Sequence, residues 1–224
     1  MTDTTSDTAS ECPDFLASTR TFYDAIAEDY AEHFRAVNVG KALERGLLAV
    51  YAELVGAGGG TVADLGCGPG RVTGHLASLG LDVFGLDLSE SMLGIARREN
   101  PGLRFEQGSM LDLDVPDGTL AGVVSWYSSI HTPDGQLTSL LDEFHRALAP
   151  GGHLLLAFQA GDRPRRLEHP FGHPVSLDFR RRDPGRMAEL LTGAGFALVS
   201  RTVREPDPDL AESVPQAFLF ARKA

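Results

Sequence analysis

The spacing of apolar residues along the chain switches repeatedly between two periods. Short apolar runs, which fit the buried strands of a parallel sheet, recur between stretches whose apolar residues lie three or four positions apart, as on one face of a helix. Strands are predicted at 62–65, 81–86, 103–106, 120–125 and 153–158, followed by an adjacent pair at 196–204 and 216–222. This order predicts an α/β fold with a doubly wound, mostly parallel, seven-stranded sheet and a C-terminal antiparallel strand.

The segment before the first strand has a helical pattern. A helix predicted from 19 to 37 carries four apolar residues spaced four apart, Phe22, Ile26, Tyr30 and Phe34. A second helix, about 40–55, ends at the glycine-rich joint 56–60. Residues 1–14 have the polar composition of a disordered tail, so we expect a single domain over residues 15–224.

The first predicted strand runs directly into a turn with glycine at alternate positions, Gly66, Gly68 and Gly70. Glycine has no Cβ, so the backbone can turn sharply there and let a ligand approach closely. A helix follows at once, since apolar residues from Val72 onward recur at helical spacing. The combination predicts a cofactor cradle. Asp87 ends the second strand, where an acidic side chain can accept hydrogen bonds from ribose hydroxyls; a solvated strand-end carboxylate is the alternative.

The order of the glycines argues against a nicotinamide or flavin site. Those sites use G-x-G-x-x-G, whose third glycine packs the helix against the strand. Counted from Gly66, that third position falls on Arg71, and Pro69 interrupts the turn. The D-x-G-x-G-x-G pattern that begins at Asp64 instead resembles motif I of the class I S-adenosylmethionine-dependent methyltransferases.

Further segments resemble the same family. Residues 23–30 look like its Y-D-x-x-A-x-x-Y segment, and residues 87–93 like its D-L-S-x-x-M-L segment. Residues 107–113 are similar to the Q-G-D-A-x-D-L-P motif, and residues 125–131 to the motif that ends the fourth strand. The resemblance covers most of the chain and is strongest over 62–158.

The resemblance implies a core at 61–158 that binds S-adenosyl-L-methionine and its product S-adenosyl-L-homocysteine. The residues that it assigns to cofactor binding are Tyr23, Tyr30, Asp64, Gly66, Cys67, Gly68, Asp87, Leu88, Met92, Ser109, Met110 and Ser125. The resemblance also implies that residues 19–57 form a helical lid over the cofactor, although an amphipathic helix packed on the core fits the pattern equally well. Ser109 replaces the family's usual aspartate. Met110 then offers an apolar face to the adenine, and Asp112 is a substitute acceptor.

Methyl transfer from a sulfonium mainly requires alignment and exclusion of water, with a base needed only for a hydroxyl acceptor. His131 is the candidate catalytic residue, because it lies just past the fourth strand at the ligand-binding edge of the sheet. Its alternative role is to cap the following loop. His169 and His173 are rival candidates, and they lie in an expected acceptor-side insertion at 159–182.

The insertion and the segment after it are rich in arginine. Seven arginines crowd into this part of an acidic chain: Arg163, Arg165, Arg166, Arg180, Arg181, Arg182 and Arg186. A cluster of opposite sign to the molecule can steer an anionic ligand, which predicts an acceptor bearing an acidic group. The alternative is that the arginines are solvated or paired with surface carboxylates.

Composition narrows the class of protein. The chain has 224 residues, 42% hydrophobic and 23% charged, as in one globular domain. A net charge of −11 argues against nucleic-acid or anionic-membrane partners. Cys12 and Cys67 form neither a metal-ligand spacing nor a disulfide framework. With no signal peptide and no long apolar run, we expect a cytoplasmic protein, without a metal, that is a monomer or a dimer.

The sequence therefore predicts a methyltransferase that modifies an oxygen or nitrogen of a small molecule. The absence of an N/D-P-P-Y/F motif after the fourth strand disfavours enzymes that methylate nucleic-acid adenine or protein glutamine. The absence of clustered carboxylates disfavours the magnesium-dependent catechol type. Two alternatives stay open: a nicotinamide-dependent oxidoreductase, and an S-adenosylmethionine-binding protein without catalysis.

Overall fold

The computed structural model describes residues 11–35, 42–208 and 212–224; residues 1–10, most of the expected tail, lie outside these ranges. Helices α1 to α6 span Glu11–Arg35, Ala42–Gly56, Arg71–Ser78, Glu90–Glu99, Leu137–Ala147 and Pro184–Gly193. Strands β1 to β9 span Thr61–Leu65, Asp82–Asp87, Arg104–Gln107, Leu120–Trp126, Leu148–Gln159, Arg165–Glu168, Ser176–Phe179, Phe196–Arg204 and Gln216–Lys223.

Seven of these strands form one sheet in the order β3-β2-β1-β4-β5-β9-β8. Strands β1 to β5 pair in parallel, and β9 is antiparallel to both of its neighbours, β5 and β8. The predicted fold class is confirmed. Side chains of α2 and α3 pack on one face of the sheet and those of α5 and α6 on the other, so the central strands are buried on both sides, as their apolar runs require.

The first helix begins earlier than the sequence predicted. Helix α1 starts at Glu11, so residues 11–14, expected to belong to a disordered tail, are helical. Pro13 is compatible with this start, because the first turn of a helix has no intrahelical partner for a backbone N–H. The apolar stripe is buried as expected, with Phe22 and Ile26 at 1% and 2% exposure.

The predicted insertion at 159–182 contains a two-stranded hairpin. Only its second strand was predicted, from the alternation at 175–179. Strand β6 was missed because three of its four residues are charged. Leu177 of β7 packs against Phe22 and Ile26 of α1. The β6–β7 hairpin and α1 therefore form one layer, called the roof below, beside the carboxyl ends of the parallel strands. Among the described residues, no helix has the length and apolar character needed to cross a membrane.

Candidate functional site

A cavity of about 620 Å³ lies between this roof and the carboxyl ends of β1, β2 and β4. It brings together most residues that the sequence assigned to a site. Those that line it are Tyr23, Tyr30, Asp64, Gly66, Cys67, Gly68, Asp87, Leu88, Met92, Met110 and His131. Parallel strands place their carboxyl ends at one edge of the sheet, which is where α/β proteins bind ligands.

The glycine turn forms one wall of this cavity. Gly66, Gly68 and Gly70 have φ values of 72°, 54° and 77°, in the left-handed region that glycine tolerates best. A Cβ on Gly66 would overlap the side chain of Ser128, whereas a Cβ on Gly68 would point into open space. Gly66 is therefore needed for packing, and Gly68 leaves room beside the backbone for a ligand.

Asp87 ties the turn to the second strand. Its carboxylate accepts hydrogen bonds from the N–H groups of Gly68 at 2.8 Å and Ser89 at 2.9 Å. Burial raises the pKa of Asp87, and backbone hydrogen bonds from Ser89, Gly68 and Leu88 oppose that rise. A carboxylate has about four lone-pair sites, so it keeps capacity for a further donor such as a ribose hydroxyl.

Two more titratable groups of β1 and the turn are buried beside Asp87. Asp64 is 1% exposed and accepts a 2.6 Å hydrogen bond from the Thr73 hydroxyl. Burial raises the pKa of Asp64 to about 7, so a cation next to it would favour its ionised form. The thiol of Cys67 is free, and burial raises its pKa well above the ordinary value. A protonated thiol contributes apolar surface to the wall rather than a nucleophile.

Ser109 and Ser125 are not among the residues that line the cavity, so their predicted cofactor contacts stay predictions. The Ser109 hydroxyl accepts a hydrogen bond from the N–H of Leu111 within its own loop. Ser125 is fully buried and accepts from the N–H of Ser129. The cavity wall is instead formed by Ser128, which donates to the carbonyl oxygen of Leu65.

His131 lies where α1 meets the hairpin, in a 3-10 turn after β4. Its Nδ1 is 3.2 Å from the carbonyl oxygen of Asp178, and its Nε2 is 2.9 Å from the hydroxyl of Tyr23. A carbonyl can only accept, so Nδ1 carries the proton and the Nε2 lone pair accepts from Tyr23. Burial lowers the pKa of His131 to about 4. The imidazole is therefore neutral at neutral pH, as a proton acceptor must be.

Arg182 fixes the backbone around that histidine. Its guanidinium donates to the carbonyl oxygens of Ser129 at 3.2 Å and Thr132 at 2.6 Å, which flank His131, and it pairs with Asp134. Arg182 is 5% exposed, so this member of the arginine cluster is structural.

His169, His173 and Arg186 do not line the cavity. His173 bonds Asp29 of α1 through Nε2 at 2.7 Å, and neither His173 nor His169 lines the wall. Neither histidine is therefore positioned as a base in this structure. Arg186 pairs with Glu189 on the surface.

The wall opposite the cofactor turn was not foreseen. Arg204 of β8 binds Glu44 of α2 at 2.8 Å and Glu212 at 2.7 Å, and both glutamates line the cavity. Gln159 and Gln216 extend the same polar wall. Sequence patterns did not connect these residues, since they come from distant segments that meet only in the folded sheet.

A parallel sheet with a glycine turn after its first strand and a carboxylate after its second defines the nucleotide-binding class of doubly wound α/β proteins. Residues 62–152 match the family model described as a methyltransferase domain. This match lies within the predicted cofactor-binding core, and it confirms over residues 62–152 the resemblance to S-adenosylmethionine-dependent methyltransferases predicted from the glycine turn.

Named relatives support this resemblance. The chain is 40% identical to trans-aconitate 2-methyltransferase of Methylobacterium nodulans over 49% of its own length. It is 34% identical to demethylspheroidene O-methyltransferase of Rhodobacter capsulatus over 64% of its length. The aligned regions span 40% and 38% of the two relatives, so the chain covers about two fifths of the length of each.

Among solved structures, the fold is similar to 1,6-didemethyltoxoflavin-N1-methyltransferase of Burkholderia thailandensis. The TM-score is 0.69 at 20% identity, over 95% of this chain and 90% of that one. That protein was crystallised with 1,6-didemethyltoxoflavin and S-adenosylhomocysteine. At this identity the likeness concerns the fold alone.

Proposed function

We propose that this protein transfers a methyl group from S-adenosylmethionine to an oxygen or nitrogen of a small molecule. The observation that carries the proposal is the shared cavity, in which the glycine turn and Asp87 form one wall while His131 and the hairpin form another. The match to the methyltransferase domain supports the methyl donor. The related proteins named above act on, or were crystallised with, small molecules, which supports the acceptor class.

The cradle fits an adenosyl group with a positive charge. The open space beside Gly68 accommodates a ligand close to the backbone, and Asp87 has capacity left for a ribose hydroxyl. Asp64 supplies a carboxylate whose ionisation a neighbouring cation would favour. Met92 and Met110 add apolar surface. When bound, S-adenosylmethionine supplies an activated methyl group on a sulfonium.

On the acceptor side we assign His131 the role of general base. Nε2 is the unprotonated ring nitrogen, and the Asp178 carbonyl orients the ring through Nδ1. For a hydroxyl acceptor, Nε2 would take the proton directly or through the Tyr23 hydroxyl, which already donates to it. An amine acceptor needs only to be neutral, so loss of His131 would then have little effect on the rate.

Two experiments test the proposal. Calorimetry with S-adenosylmethionine, S-adenosylhomocysteine, NAD and NADP should detect binding of the first two only; selective binding of NAD or NADP would favour an oxidoreductase. A screen of small hydroxyl, amine and carboxyl compounds should then detect formation of S-adenosylhomocysteine. Binding without turnover on any of them would favour a non-catalytic binding protein.

The cytoplasmic location, the absence of nucleic-acid partners and the monomeric or dimeric state stay predictions.

A further inference from the structure

The two faces of the β6–β7 hairpin differ in composition. Side chains alternate between faces along a strand, and directly paired residues share a face. Arg165 pairs with Phe179, and Leu167 pairs with Leu177. The two leucines and Phe179 pack toward α1, so Arg165 belongs to the inner, otherwise apolar face.

The outer face carries the ordinary surface charges of the hairpin. Arg166 bonds Asp178 at 3.0 Å and Ser176 at 2.5 Å, and it lies 3.5 Å from Glu168. An arginine on that face has carboxylates beside it on both strands. Arg165 shares its strand with Arg166 but lies on the opposite face.

Arg165 lies on the acceptor side of the cavity. Its cross-strand partner Phe179 has its ring centroid 4.8 Å from that of His131. Arg165, Phe179 and His131 all line the cavity. A group bound by the Arg165 guanidinium would therefore lie close to the proposed base.

Arg165 has no ion pair or hydrogen bond with any residue that the structure describes, whereas four other members of the cluster do: Arg166, Arg181, Arg182 and Arg186. The two glutamates of the opposite wall are both bound to Arg204. In a chain with a net charge of −11, a cation without a carboxylate partner at a cavity wall attracts anions locally. Its planar fork suits an oxyanion in two-point contact.

Taking the proposed function as given, we propose that Arg165 binds an oxyanion of the methyl acceptor, a carboxylate or a phosphate. The acceptor is then a small acid whose charged group lies at the hairpin and whose methylated atom lies near His131. Of the seven arginines in the cluster, all of which the structure describes, only Arg165 lines the cavity, and its neighbour Arg166 lies on the outer face of the hairpin.

Matched pairs of probes test this without knowledge of the natural acceptor. Benzoate, benzamide and phenyl phosphate are titrated into the full chain saturated with S-adenosylhomocysteine, and binding is followed by NMR. We expect one or both anions to bind about tenfold tighter than the amide, and the stronger anion identifies the oxyanion. In Arg165→Gln this preference should fall below about threefold, and Arg165→Lys should be intermediate because it keeps charge but loses the fork.

Arg166→Gln is the matched control, since it removes an equal charge from the outer face of the same strand. It should keep the preference for anions. The proposal is overturned if the wild-type chain shows no preference, including the case in which no probe binds, or if Arg165→Gln retains it. An equal loss of the preference for anions in Arg165→Gln and Arg166→Gln would also overturn the proposal, because the loss of one positive charge anywhere on the hairpin would then explain the result. S-adenosylhomocysteine affinity is measured in each variant. If the wild type does not bind that molecule, the proposed function fails, and the probe comparison is made on the chain alone.

Discussion

The carboxylate of Asp87 has two tasks, and one substitution separates them. It holds the glycine turn through Gly68, and we assign it the ribose hydroxyls of the cofactor. Asp87→Ala should weaken S-adenosylhomocysteine binding by about 2–4 kcal/mol, the scale of charge-assisted hydrogen bonds. Calorimetry measures the loss, and thermal unfolding reports the structural part.

Asp82→Ala is the control for this variant. Asp82 begins the same strand, is exposed and bonds only the Thr61 hydroxyl among the described residues. Its removal should leave cofactor affinity unchanged. If Asp87→Ala binds as tightly as the wild type, Asp87 is merely a strand-end carboxylate.

The hydrogen bond from Tyr23 to His131 has a measurable electrostatic consequence. Donation to Nε2 stabilises the neutral imidazole, so removing the donor should raise the pKa of His131 from its low value. A neutral hydrogen bond contributes about 0.5–1.5 kcal/mol, which corresponds to a rise of about half a unit to one unit in Tyr23→Phe. NMR titration of the imidazole resonances gives the pKa directly.

Tyr30→Phe provides the comparison, because the Tyr30 ring meets the Tyr23 ring edge to face but Tyr30 has no hydrogen bond to His131. It should leave the pKa of His131 where it is. An unchanged pKa in Tyr23→Phe would contradict the assigned tautomer and the contribution of this hydrogen bond.

At the scale of elements, α1 is attached mainly to parts that surround the cavity. Tyr23 bonds His131, and Asp24 accepts from the Ser89 hydroxyl at the start of α4. Near its other end, the carbonyl oxygen of Phe34 accepts from Arg71 of α3. A ligand that stabilises the turn, α3 and α4 should therefore stabilise α1 too.

Hydrogen exchange tests whether this helix is a lid. Lids open more easily than the core, so amides of α1 within 19–35 should exchange more slowly when S-adenosylhomocysteine is added. Helix α5, which packs on the far face of the sheet and does not line the cavity, should change little. Equal protection of α1 with and without the ligand would mean that it is permanent core packing.

The limits of the sequence are visible in the same elements. The glycine turn and Asp87 were found because their signal is local: a strand, a tight turn and a strand end lie within one unit. Ser125 was predicted as a cofactor contact because it begins the motif that ends the fourth strand. Tyr127 takes a φ of 56° there, and the chain turns so that Ser128 reaches the cavity instead.

The contacts between distant segments could not be predicted from the spacing of residues along the chain. The stripe from Phe22 identified the buried face of α1, but the contact of Tyr23 with His131 depends on where the β4 turn and the hairpin lie. The sequence placed Arg165 in a cluster of seven arginines expected to contact the acceptor. Only the register with Phe179 distinguishes it.

At the scale of the whole molecule, the sheet was predictable because each strand–helix unit obeys the same handedness rule. The final pair was harder, since two adjacent strands without a helix can simply extend the edge as a hairpin. Here β9 lies between β5 and β8. Its fully apolar stretch from Ala217 to Ala221 is buried, whereas β8 at the edge is largely exposed, so hydrophobicity explains which strand is inside.

The buried groups of the cavity also make the stability of the whole molecule depend on pH in two opposing ways. Asp64 has a folded pKa of about 7, above its ordinary 3.8, so its contribution to stability is lost as pH rises between these values. His131 has a folded pKa of about 4, below its ordinary 6.5. The unfolded chain therefore binds the extra proton between those values, and the stability from His131 grows with pH.

Single substitutions should expose each slope. Between about pH 4.5 and 6.5, Asp64→Asn should gain stability relative to the wild type by at most about 2–3 kcal/mol, because it lacks the carboxyl that resists ionisation. His131→Gln should lose a similar amount relative to the wild type over the same range. Urea unfolding at the two pH values measures both differences. Profiles parallel to the wild type in both variants would mean that neither group keeps its shifted pKa.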